Sequence, residues 1–169
     1  MNNKTSLKGN SLNAVLALKD GTVFEGIGFG AERETVGEVV FNTSLVGYEE
    51  SLTDPSYKGQ ILTLTYPLIG NYGARKQEFE SNAVQAEGFV VRQFQDFFSH
   101  RNAVKSISQF LKEFDIPGIS GIDTRMLTKK IREYGVINGA LVTSKDNINT
   151  QDVLEKAKKL GDYSALDLL

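Results

Sequence analysis

The sequence predicts an α+β domain with a layered β/β/α arrangement, strand-rich in its first half and with its helices mainly in the second. Three observations carry that expectation. Short apolar runs rich in β-branched and aromatic residues, punctuated by glycine, fill the chain to about residue 93. From about residue 102 the apolar spacing changes to that of a helix. A lone strand-like run, "INGALVTS", then separates two amphipathic helices.

Taken in order, "MNNKTSLKGNSLN" is polar, lacks the apolar stretch of a signal peptide, and is expected to be a loose tail over residues 1–12. The single domain is placed at 13–169. "AVLALKDGTVFEG" holds two strand-like runs around Lys19-Asp20-Gly21. Asp-Gly between such runs signals a hairpin, because glycine accepts the positive φ of a primed turn. "GEVVFNTS" and "QILTLTY" are further strands. "NAVQAEGFVVRQ", residues 82–93, reads as one strand bent at Gly88 or as two short ones.

Val104, Ile107, Phe110, Leu111 and Phe114 predict a helix from about 102 to 115, stopped by Ile116-Pro117-Gly118. A second helix follows Asp123, its N-cap, with Leu127, Ile131 and Tyr134 as the apolar stripe and Gly135 at C′. The last helix, in "NTQDVLEKAKKLG", is capped by Thr150 or Asn149 and turns Val153, Leu154, Ala157 and Leu160 inward.

Composition excludes several kinds of chemistry. Nineteen basic against twenty-one acidic residues give a net charge of −2. With a pI near 5.5 there is no large positive field to draw nucleic acid or an anionic membrane. The absence of cysteine removes disulfides, thiolate metal sites and a cysteine nucleophile together, and one histidine cannot build a histidine-rich metal site. No apolar run reaches the length needed to span a bilayer. A cytoplasmic protein without nucleic-acid or membrane partners is expected, with no catalytic, cofactor or metal residue.

Each candidate for chemistry has a plainer reading beside it. "GIGFG", Gly26 to Gly30, has the glycines of a phosphate loop, but no helix opens after it and no Gly-Lys-Ser/Thr follows. A bulged strand and a turn are expected there. Glu49 with Glu50, or Glu32, Glu34 and Glu38, would serve as an acid/base pair only if held across a cleft in different environments, which their spacing does not indicate. His100 reads as a surface or capping residue. Arg125, Lys129 and Arg132 share one helix face, which would meet an acidic partner or an anion, or stay solvated. Asp54-Pro55-Ser56-Tyr57 and Gly70-Asn71-Tyr72-Gly73 flank the strand "QILTLTY". Proline fixes the turn, so the backbone N–H and hydroxyl of Ser56 are placed to bind a small polar ligand. No base lies near Ser56 in sequence, so it is not marked as a nucleophile.

The motifs "LKDGTVFEGIGFGA", "GEVVFNTSLVGYEESLTDPSYKGQILTLTYPLIGNYG", "AEGFVVR" and "FLKEFDIPGISGIDTRMLTKKIREYGVINGAL" occur in that order from about residue 14 onward. In this the chain resembles the N-terminal domain of the small, glutamine-amidotransferase subunit of carbamoyl phosphate synthetase. The resemblance implies a layered β/β/α fold packed between a C-terminal glutaminase domain, which carries a Cys-His-Glu triad, and the large subunit. Ammonia released from glutamine would pass to the large subunit, where ATP and magnesium are expected and carbamoyl phosphate is made for arginine and pyrimidine synthesis. The resemblance assigns Ser56 to glutamine binding and sets Asn42 to Ser44 near the ammonia path. It gives Asp123, Thr124 and Arg125 a capping and interface role without a ligand.

Two departures stand out. No triad domain is present, so this chain alone is expected to be inactive, as a fragment or beside a separately encoded partner. "SHRNAV" lacks the aromatic of the family's Ser-Asn-aromatic-Arg. Two rival classes remain: a free-standing module that binds a small ligand or regulates a partner, and an independent carboxylate hydrolase.

Overall fold

The computed structural model describes residues 12–43, 51, 53–65, 84–92 and 108–163. The expected tail over 1–11, the helix portion 102–107, "SHRNAV", His100, Glu49, Glu50, Ser44 and the Gly70–Gly73 loop lie outside them.

The Asp20-Gly21 hairpin forms as its residues dictate. Strand β1 (Leu12–Leu18) pairs antiparallel with β2 (Val23–Gly30), from Leu12 opposite Gly28 to Ala17 opposite Val23. Gly21 has φ +99°, a value that most side chains resist. The Asp20 carboxylate accepts the Thr22 backbone N–H at 3.0 Å and fixes the turn. β1 begins one residue inside the stretch expected as tail.

Five more strands follow: β3 (Glu34–Asn42), β4 (Gln60–Leu64), β5 (Gly88–Val90), β6 (Pro117–Ser120) and β7 (Asn138–Ser144). Around the sheet the order is β1-β2-β6-β5-β4-β3-β7, and β7 returns to β1 to close a barrel. β6-β5, β5-β4 and β4-β3 are parallel, and the other pairings are antiparallel. The predicted strand-rich α+β class holds, with the helices α1 (Thr124–Tyr134) and α2 (Thr150–Tyr163) in the second half. What the sequence did not convey is closure. The two expected β layers are opposite walls of one barrel, and the helices lie outside it.

The side chains sort accordingly. Leu16, Leu18, Val39, Ile61, Val90, Ile119 and Leu141 form an inner cluster that Leu127 and Ile131 of α1 join. The opposite faces of β1 and β7 present Val15, Ala17 and Ala140 to Val153 and Ala157 of α2. This is why residues 14–18 of β1 read as an unbroken apolar run, since both faces are covered there. A third cluster sets Phe29, Leu62, Leu64 and Phe89 against Phe110 and Leu111 of a helical segment over 108–113.

Several local expectations need correction. The helix does end before Ile116-Pro117-Gly118, but Pro117-Gly118 also opens an unexpected strand, β6, which bonds to β2 and β5 and so completes the ring. Proline is tolerated there because it stands at a strand's first residue. The helical turns end at Glu113, and Asp115 at φ +58° turns the chain, with the Ile116 N–H bonded to the Leu111 carbonyl at 2.9 Å. Between 84 and 92 only Gly88–Val90 is strand. "GIGFG" contains no bulge, since β2 pairs residue for residue with β1 and β6. Its glycines serve close packing instead. A Cβ on Gly26 would stand 2.3 Å from the Ser120 carbonyl oxygen. Tyr134 is 57% exposed rather than inward, and Leu154 and Leu160 are only half-buried. Of the two possible caps for α2, Asn149 serves: its side-chain oxygen accepts the Gln151 N–H at 3.0 Å.

Candidate functional site

The turn that carries Ser56 is built by its neighbours. Pro55–Tyr57 forms one turn of 3-10 helix, capped by Asp54, whose carboxylate accepts the Ser56 N–H at 2.9 Å. The Tyr57 N–H bonds to the Asp54 carbonyl at 3.1 Å and the Lys58 N–H to the Pro55 carbonyl at 3.2 Å. Proline suits the first position of such a turn, where its missing N–H costs nothing.

A second set of bonds ties this turn to the barrel. The Asn42 side-chain amide, at the end of β3, donates to the Tyr57 hydroxyl at 3.0 Å and to the Ser51 hydroxyl at 3.3 Å. The Thr65 hydroxyl donates to the Asn42 carbonyl at 3.3 Å. Tyr57 is half-buried and packs against the cluster that contains Leu62 and Leu64. Burial, and then the nearby Asp54 carboxylate, push its phenol up, while the bond from Asn42 pulls the other way. The phenol therefore stays protonated at neutral pH and acts as a polar strut.

Ser56 itself is exposed, and its hydroxyl makes no hydrogen bond among the described residues. The sequence reading offered both its N–H and its hydroxyl to a ligand. That requires correction, because the N–H is held by Asp54. Only the hydroxyl remains, on a turn braced from two sides. Asp54, the carboxylate nearest to it in sequence, is engaged with the backbone.

Glu32, Glu34 and Glu38 do not gather. Glu32 accepts from the Ser144 hydroxyl and the Lys145 N–H. Glu34 is paired with Lys156. Glu38 accepts from Gln60 at 3.2 Å. Each of these three is committed to a different neighbour, and Glu49 and Glu50 lie outside the described residues. Among the described residues no group of three or more histidine, cysteine, aspartate or glutamate side chains is placed to hold a metal ion. No described helix is long and apolar enough to cross a membrane.

Asp123 caps α1 as expected, accepting the Met126 N–H at 3.0 Å. Arg125, Lys129 and Arg132 do share an exposed face, and the Arg132 guanidinium lies 5.2 Å from the centre of the Phe41 ring. Lys130 is pulled to the hairpin turn, 3.0 Å from Asp20. Partial burial pushes the Asp20 carboxyl up, but bonds from Thr22 and Lys130 outweigh it and hold it below its ordinary value. An open hollow of about 290 Å³ beside this turn is lined by Lys19, Asp20, Tyr134, Val136, Ile137 and Asn138. None of the Ser56 turn contributes to it.

Sequence reasoning missed the Asn42–Tyr57 strut and the Arg33 anchor, which bonds to the Asp115 carbonyl at 2.9 Å and stands 3.8 Å from Glu87. No periodic signal connects residues so far apart along the chain.

Comparison with known proteins bears on the same stretch. The family model described as carbamoyl-phosphate synthase small chain, CPSase domain, matches residues 16–141. A carbamoyl phosphate synthase small chain from Methanococcus maripaludis (strain C7) is 52% identical over 158 residues, which cover 92% of this chain and 41% of that relative. The small chain from Methanocaldococcus jannaschii is 50% identical over 160 residues, 94% of this chain and 43% of its own length. That from Aquifex aeolicus is 50% identical over 156 residues, 92% and 42% respectively. The chain thus spans less than half the length of these relatives.

Proposed function

Because the chain belongs to the carbamoyl phosphate synthase small-chain family, we propose that it forms the N-terminal domain of the small subunit of a glutamine-hydrolysing carbamoyl phosphate synthetase. It docks a glutaminase domain and the large subunit, and it lends one wall to the glutamine site. The reacting thiol comes from the glutaminase domain, since this chain has no cysteine. Taken alone, it does not hydrolyse glutamine. ATP and magnesium belong to the large subunit, and the carbamoyl phosphate serves arginine and pyrimidine synthesis in the cytoplasm.

The observation that carries this reading is the Ser56 hydroxyl: exposed, unbonded within the described residues, and presented on a turn fixed by Asp54, Asn42 and Tyr57. A hydroxyl held this way donates to or accepts from the amide or carboxylate of a small polar ligand without first losing an internal partner. The test uses the assembled enzyme. Ser56→Ala removes one hydrogen bond worth about 1 kcal/mol, or roughly a fivefold rise in KM for glutamine. Synthesis from free ammonia, which bypasses the pocket, stays unchanged. An unaltered KM for glutamine removes Ser56 from the site. The docking role is checked by co-elution with the large subunit on a sizing column.

A further inference from the structure

The outward face of α1 breaks rules that a free helix obeys. Arg125 stands in its first turn, which holds no acidic residue. There the backbone N–H groups carry partial positive charge and favour anions. Lys129 follows four residues later and Arg132 seven, so all three cations lie on a strip about 60° wide and about 10 Å long. Like charges at such spacing disfavour the helix.

Asp123 caps the helix backbone at the Met126 N–H, but among the described residues none of the three cations forms an ion pair. Lys130, by contrast, is paired with Asp20, and Lys156 with Glu34. Glu133 lies four residues beyond Lys129 but makes no ion pair with it, and Arg132 only overlies the Phe41 ring. The excess is local, because the whole chain carries a net charge of −2. Beside the strip, Met126 is 44% exposed and offers an apolar point of contact. The helix is nonetheless held firmly from behind, by Leu127 and Ile131 in the inner cluster and by the Asp123 cap. A rigid helix that presents three cations without ion-pair partners among the described residues, beside an exposed methionine, is complementary to a surface of carboxylates.

We propose that Arg125, Lys129 and Arg132 form a docking strip for a carboxylate-rich surface of the large subunit. This rests on the docking role proposed above and names the face that performs it. Arginine suits the task, since its planar donors pair with a carboxylate two at a time. The strip sets encounter rate and orientation, and its contribution falls as salt rises.

The test reverses the strip in the small chain at its natural length, with Arg125→Glu, Lys129→Glu and Arg132→Glu combined, and measures affinity for the large chain at low and high salt. The control carries Lys158→Glu and Lys159→Glu on exposed positions of α2. Affinity should fall at least about tenfold at low salt for the strip variant, the gap should narrow at high salt, and the control should bind like the wild type. Thermal unfolding is read alongside. Should the reversed variant prove unstable, the Arg125→Gln, Lys129→Gln, Arg132→Gln combination decides, with a smaller loss in the same direction. Equal binding by wild type and strip variant overturns the strip and leaves docking standing. An equal loss in the α2 control assigns the effect to net charge and also overturns it. Failure of the wild type to bind the large chain removes the docking role, and the strip with it.

Discussion

The Asn42 amide and the Tyr57 hydroxyl meet at 3.0 Å, and that bond joins the end of β3 to the turn that presents Ser56. The strut spans fifteen residues of chain and reaches the barrel wall, so the turn inherits the rigidity of the sheet. Tyr57→Phe keeps the ring in its apolar contacts and removes only the bond. Stability should drop by about 1 kcal/mol in denaturant unfolding. In the assembled enzyme, KM for glutamine should rise while ammonia-dependent synthesis holds. A change in both would place Tyr57 in general folding rather than in this turn.

Asp54 caps the same turn through the Ser56 N–H. Asp54→Ala frees that N–H and loosens the hydroxyl beside it. Loss of such a cap costs about 1 kcal/mol, and the effect on glutamine KM should resemble that of Ser56→Ala. Asp54→Asn, which keeps an acceptor oxygen, should retain most of the wild-type behaviour.

Asp20 and Lys130 fasten the β1–β2 turn to α1, with side chains only 13% and 23% exposed. Asp20 is held below its ordinary value, so its contribution is present above the unfolded carboxyl value of about 3.9 and is lost as pH falls through the folded value beneath it. For Lys130 the bond to Asp20 leads a shift upward. Its contribution is therefore full below its unfolded value of about 10.4 and is lost as pH rises beyond that. Acid unfolding of Lys130→Met should show a shallower loss of stability below pH 4 than the wild type. Identical acid limbs would show that the pair does not link the turn to the helix.

Thr63 is wholly buried in β4, and its hydroxyl has no hydrogen-bond partner among the described residues. A buried unpaired hydroxyl forfeits its hydration without return. Thr63→Val exchanges it for a methyl group of similar size and should leave the protein as stable or raise stability by about 1 kcal/mol. A clear loss in the melting curve would reveal a partner for that hydroxyl.

Gly118 faces the Phe29 ring so closely that a Cβ would lie 2.6 Å from ring carbons. Phe29 in turn meets Phe89 edge to face, with ring centres 6.0 Å apart. The ring is buried, so an added methyl must displace packed groups, and Gly118→Ala should cost about 1–3 kcal/mol. Unchanged thermal stability would mean that the β6 wall shifts without penalty.

What the sequence determined by itself was local. The Asp20-Gly21 turn, the Asp123 cap and the Leu127/Ile131 stripe each depend on residues within a few positions of one another, where dihedral preference and periodicity act directly. The turn around Ser56 was visible for the same reason, in Asp54-Pro55. The family motifs, too, were legible from order alone. Tertiary structure decided the rest. β6 is a four-residue strand that begins with Pro-Gly, too short for a period, and it exists because β2 and β5 supply its bonds from either side. Barrel closure, the Asn42–Tyr57 strut and the outward turn of Tyr134 follow from groups far apart in sequence meeting in space. Such pairings leave no imprint on local spacing, because their energy arises only once the sheet has brought the partners together.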